Sequence, residues 1–177
     1  MPTPPRVLDE TCDLRFPTGR IVRSGVRLGV DVGSVRIGIA RSDPSGLLAS
    51  PLDTVRRGPG DVAAVTALAA DHSAVEIIVG LAVGLAGREG PAAADGRAFA
   101  TQLAERLGPI PVRLVDERFT TVLAHSALQQ GGRGSRARRE TVDKAAAALV
   151  LQGALDTERS TGEPAGQLVA APGGTHP

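Results

Sequence analysis

Gly29-Val30-Asp31-Val32-Gly33-Ser34-Val35-Arg36-Ile37-Gly38-Ile39-Ala40 is the stretch on which the fold turns. Arg27 to Val32 is a short β-type run, Gly33-Ser34 supplies a turn, and Arg36 to Ala40 alternates with period two, as the return strand of a hairpin does. Pro44-Ser45-Gly46 makes a second turn before a third strand, expected over Leu47 to Val55. Outward from there the period changes. A helix is expected from Asp61 to Asp71, with Asp61 as its N-cap, and then a buried strand, Val75 to Gly80. A glycine-rich loop, Gly84 to Gly90, leads to a helix over Pro91 to Leu107, where Phe99, Leu103 and Leu107 recur on one face. Val112 to Asp116 is a fifth strand and Thr120 to Gln130 a third helix. The loop Gly131 to Arg139 precedes a last helix, starting near Arg136 or Thr141 and ending near Asp156. Three hairpin-linked strands followed by βα units predict an α/β fold, a five-stranded mixed sheet with helices on both faces.

The chain has 177 residues, which suits one core. The segments 1–25 and 158–177, rich in Pro, Gly, Thr and scattered charge, read as poorly ordered tails around a domain over residues 26–157. Twenty basic against nineteen acidic side chains leave a formal charge of +1, so any nucleic-acid contact must come from a local patch. Three Phe with no Tyr or Trp exclude modules that stack bases on aromatic platforms. The single Cys12 cannot form an internal disulfide or a multi-thiolate zinc site and points to a reducing, cytoplasmic setting. No apolar run reaches membrane-spanning length, so no membrane partner is expected. The one lysine, Lys144, has no glycine-rich loop before it, which excludes a P-loop. His72, His125 and His176 lie in no ligand spacing.

Three carboxylates stand where this layout converges: Asp31 near the end of the first strand, Glu117 just after the fifth, and Asp143 in the first turns of the last helix. Strand ends on one edge of an α/β sheet are where ligands bind. Carboxylates with water and substrate phosphate suit a hard cation such as Mg²⁺ or Mn²⁺, and two such ions can drive phosphodiester hydrolysis. Taken singly, Asp31 reads as a turn former, Glu117 as the partner of Arg118, and Asp143 as a charge favoured near a helix N-terminus. Their joint occurrence in this element order is what marks them.

The stretch 29–40, together with Glu76-Ile77-Ile78-Val79-Gly80-Leu81, Asp116-Glu117-Arg118-Phe119-Thr120-Thr121 and Val142-Asp143-Lys144-Ala145-Ala146-Ala147, closely resembles the YqgF-type family. That family is described as pre-16S rRNA nucleases, and also as Holliday junction resolvases, with an RNase H-like fold. The resemblance spans Val26 to Asp156. It implies that Asp31, Glu117 and Asp143 form a catalytic triad binding Mg²⁺ or Mn²⁺, as two ions. It implies a hydrolase acting on nucleic acid, in processing of the 5′ end of pre-16S rRNA and so in ribosome biogenesis. The alternative is resolution of branched DNA by a homodimer, and a third reading is a non-catalytic nucleic-acid-binding module. Asp31-Val32-Gly33 also resembles the first phosphate motif of actin-like ATPases and sugar kinases, but those need two copies of the domain and the chain has room for one.

Two departures from the family pattern stand out: Ala82-Val83-Gly84 where a Pro and a polar stretch are usual, and Lys144 where a small Ser is common. Arg133, Arg136, Arg138 and Arg139 lie within seven residues with no acid among them. With Arg118 they are the expected substrate-binding groups, since guanidinium recognises phosphate bidentately; the bland reading of the same run is a solvated loop.

Overall fold

The computed structural model describes residues 23–81, 90–116 and 136–170, with the backbone alone for 136–140. Six strands form one sheet: β1 (Arg27–Val32), β2 (Arg36–Ser42), β3 (Ala49–Arg56), β4 (Glu76–Leu81), β5 (Val112–Asp116) and β6 (Gln167–Leu168), in the order β3-β2-β1-β4-β5-β6. β1, β2 and β3 pair antiparallel, as expected of a hairpin meander. β4 and β5 join β1 in parallel, each after a crossover helix. Helices α1 (Asp61–Asp71), α2 (Pro91–Leu107) and α3 (Arg136–Thr161) cover the faces.

Strict alternation along β1 decides which face each side chain serves. Leu28 and Val30, with Ile37, Ile39, Ile77, Val79 and Leu114, turn to one face and pack against Val65 of α1 and Phe99 and Leu103 of α2. Ala40, Ile78 and Val115 turn to the other, beneath Ala147, Val150, Leu151, Ala154 and Leu155 of α3. The residues of β1 between its core positions, Arg27, Gly29 and Asp31, therefore face α3.

Several expectations are corrected. The sheet has six strands among the described residues, not five: after α3 the chain returns and β6 pairs antiparallel with β5 through Arg113↔Leu168 and Leu114↔Gln167. The segment from residue 158 onward, expected as a tail, continues α3 to Thr161 and then supplies β6, with Glu158 and Ala165 buried. The reason is a buried ion network at Glu158 that composition does not reveal. On the N-terminal side, Arg23 belongs to that network and Gly25 donates its N–H to the Pro44 carbonyl at 2.8 Å, so the fold begins before Val26. Asp61 is the first residue of α1 and not its cap; its carboxylate takes the Gly58 and Val62 N–H groups and Arg57, closing the preceding turn. The expected helix Thr120 to Gln130, most of the loop Gly84 to Gly90, residues 1–22 and residues 171–177 lie outside the described residues. No helix among the described residues is long and apolar enough to cross a membrane.

Candidate active site

Asp31 is the penultimate residue of β1 and is half-buried. Its direct neighbours across the sheet are Gly38 on β2 and Gly80 on β4, so no side chain flanks it in its own row. Residues directly opposed in an antiparallel pair project to the same face, which places Asp31 on the side of Gly38 that meets α3. There the approach is very close. A Cβ built on Gly38 would lie 2.0 Å from the main-chain carbonyl oxygen of Asp143. Only glycine lets the helix backbone descend this far onto the sheet. The same device is used along β1 at Gly29, where a Cβ would lie 2.6 Å from Leu151 Cβ and 2.8 Å from the Ala147 carbonyl oxygen.

The phase of α3 does the rest. Asp143 precedes Ala147, Leu151 and Leu155 at successive i, i+4 steps on the buried face. Among the described side chains it is thus the position of that stripe nearest the helix start, at the end where β1 terminates. Its Oδ2 accepts a hydrogen bond from Arg36 Nε at 2.8 Å, and the pair is partly open, with side chains 19% and 31% exposed. Asp116 closes β5 at the same sheet edge, in register with Leu81.

Of the residues the sequence singled out, Asp31 stands opposite Gly38 on the paired strand, and the main chain at Asp143 packs directly on Gly38 from α3. Glu117, Arg118 and Arg133 lie outside the described residues; the backbone puts Arg136 and Arg138 in the first turn of α3, and their side chains are likewise outside. Among the described residues no group of three or more His, Cys, Asp or Glu side chains is placed to hold a metal ion. The donor chemistry of Asp31 and Asp143 nevertheless suits a hard divalent cation: both are oxygen donors, both lie on the α3 side of the sheet near the carboxyl end of β1, and both are partly open to solvent. The hairpin pattern marks Arg36 only as a strand residue; its signal in the sequence is its position two residues before Gly38, on the same face.

This architecture, a three-strand meander extended by parallel βα units with a long helix laid over the end of β1, defines the class: an RNase H-like α/β fold of the RuvC type. The T. thermophilus RuvC structure in complex with a Holliday junction substrate aligns with a TM-score of 0.50 at 16% identity, over 79% of this chain and 99% of that one. Residues 25–157 match the family described as RuvX, Holliday junction resolvase, and the chain belongs to it. A Thermobifida fusca protein named "Putative pre-16S rRNA nuclease" is 56% identical over 155 residues, covering 84% of this chain and 98% of its own. A Nocardioides protein of the same name is 56% identical over 153 residues, again covering 84% and 98%.

Proposed function

We propose that the protein is a divalent-metal-dependent nuclease that hydrolyses phosphodiester bonds at the 5′ end of pre-16S rRNA, with Asp31, Glu117 and Asp143 as its catalytic carboxylates. The observation that supports this reading is the contact at Gly38: Asp31 is its partner on β1, and the main chain at Asp143 of α3 packs on it at the strand-end edge. Glu117 follows Asp116 directly in the sequence and supplies the third oxygen donor. Mg²⁺ or Mn²⁺, as two ions, would supply activation of the attacking water and stabilisation of the leaving oxygen. The protein's own part is to hold the carboxylates close on a rigid sheet and to counter their mutual repulsion. Arg36 does the latter by bonding Asp143. Arg118, Arg133, Arg136 and Arg138 are assigned to the substrate phosphates.

The family's description as a resolvase, with the RuvC-type fold, favours a second reading: cleavage of four-way DNA junctions by a homodimer, since cutting two strands symmetrically needs two sites. The experiment takes the purified full chain, a precursor rRNA with an extended 5′ end, and a four-way junction. Each is incubated with Mg²⁺ or Mn²⁺, and then with excess chelator, with molecular mass measured alongside. Metal-dependent cleavage of the precursor is expected. Asp31→Asn and Glu117→Gln should each lower the rate by about 1,000-fold, roughly 4 kcal/mol of transition-state stabilisation, without lowering the melting temperature. Junction cleavage by a dimer, with the precursor left intact, selects the second reading. Cleavage that survives the chelator, or a Glu117→Gln variant that is destabilised yet cuts normally, overturns both.

A further inference from the structure

Arg36 and Arg56 stand directly opposite each other in the antiparallel pairing of β2 with β3. Their side chains therefore share a face, and it is the face of Gly38, Asp31 and Asp143. Like charges directly opposed across two strands are unfavourable. Here only one of the two is offset: Arg36 is bonded to Asp143, whereas Arg56 is exposed and no ion pair joins it to a described residue. The adjacent Arg57 shows what a structural arginine looks like in this fold. Its Nη1 donates to Asp61 Oδ2 at 2.7 Å, and its guanidinium lies 5.2 Å from the centroid of the Phe99 ring, on the opposite face of the sheet.

The arginine row is two residues further along the strands than the row Thr54–Gly38–Asp31, a displacement of about 7 Å. That is the scale of one nucleotide step along a sugar-phosphate chain. In a chain whose formal charge is only +1, a cross-strand pair of guanidiniums, one bonded to Asp143 and the other exposed one strand over, is a local anion site of the kind bulk charge does not supply. Guanidinium also matches phosphate oxygens bidentately.

We propose that Arg56, with Arg36 opposite it, clamps a backbone phosphate of the nucleic-acid strand one step from the Asp31–Asp143 site. The proposal rests on the nuclease reading for its substrate, and the test separates the two. Binding of the full chain to labelled structured RNA and to a four-way DNA junction is measured in excess chelator, where nothing is cut, across a series of salt concentrations. Arg56→Ala should weaken binding roughly tenfold at low salt, as expected for one charge-assisted contact, and reduce the salt slope by about one. Arg56→Glu should weaken it further. The melting temperature of Arg56→Ala should hold or rise slightly, because the repulsion on Arg36 is relieved, so lost binding cannot be lost folding. Arg159→Ala, an exposed arginine at the far end of α3, should bind as the parent does. Weakening on both ligands assigns the clamp to the shared phosphodiester; weakening on one alone assigns it to that strand's path. Unchanged affinity and slope in both Arg56 variants overturn the clamp, as does a parent that binds neither ligand. A parent that binds in this way but never cleaves with Mg²⁺ or Mn²⁺ overturns the nuclease reading and leaves the clamp standing.

Discussion

At Glu158, helix α3 meets the sheet through a carboxylate whose side chain is 4% exposed; at Asp143, near its other end on the same face, it meets the sheet through one that is 31% exposed. The first lies within a closed set of charges. Arg23 Nη2 donates to Glu158 Oε2 and to Glu76 Oε2, both at 2.8 Å, Arg27 Nη2 donates to Glu158 Oε1 at 3.2 Å, and Arg113 Nε donates to Glu76 Oε1 at 2.9 Å. Two acids and three arginines thereby tie the starts of β1, β4 and β5 to the end of α3. At the other end, Asp143 is bonded by Arg36 among the described residues, and Asp31 lies on the same face of the sheet. The difference separates structure from function. Buried charges are tolerable only when each is matched, and a matched set tolerates little change. A half-open carboxylate bonded to an arginine can exchange that partner for a metal cation.

The sharpest way to break the comparison is at Glu158. Glu158→Ala leaves Arg27, whose Nε and Nη1 have no hydrogen-bond partner among the described residues, buried with Glu76 at 3.4 Å as its remaining counter-charge. A destabilisation of about 3–5 kcal/mol is expected, or a melting temperature roughly 10 °C lower for a chain of this length, with cleavage per folded molecule unchanged. Deleting residues 158–177 should do at least as much harm, because it also removes β6. Thermal unfolding with activity measured below the transition checks both, and a stable Glu158→Ala variant would mean that the network is not what holds the helix end.

The second test sets Gly38 against Gly29. Gly38→Ala drives a methyl group into the Asp143 carbonyl oxygen, and Gly29→Ala drives one into Leu151 and the Ala147 carbonyl. Each should cost about 1–3 kcal/mol by overpacking. Only Gly38→Ala should abolish cleavage out of proportion to its stability, because it alone moves a carboxylate of the site. Equal activity in the two variants would detach the Gly38 contact from function.

The smallest effect is in pH. Burial pushes the Glu158 carboxyl up, but hydrogen bonds from Arg23 and the charges of Arg27 and Arg23 outweigh it and hold the group below its ordinary value of 4.5. A carboxyl held low in the folded state stabilises above its unfolded value, and that contribution is lost as pH falls through the folded value. Glu158→Gln should therefore be less stable than the parent at neutral pH, with the gap narrowing as pH falls below about 4.5. Denaturant midpoints at pH 7, 5 and 3 read this directly. A gap that stays constant would remove Glu158 from the acid response.

Period and turn chemistry, both local, determined much of this protein from the sequence alone. The Gly29–Ala40 hairpin, the strands Val112 to Asp116 and near Ile77, the helices at Asp61 to Asp71 and Pro91 to Leu107, and the candidate carboxylates Asp31 and Asp143 were all legible, because each element carries its own alternation or its own i, i+4 stripe. The tertiary structure decided what depends on partners distant in the chain. Glu158, in a polar segment after the alanine-rich helix, looks like solvated tail until Arg23, Arg27 and Glu76 are brought around it by strands 80 or more residues away. β6 is two residues long and has no period to read; it exists because β5 offers it an edge. Gly38 reads as an ordinary strand glycine, and only the packing of α3 turns its missing Cβ into the contact that seats the main chain at Asp143 on the strand paired with Asp31.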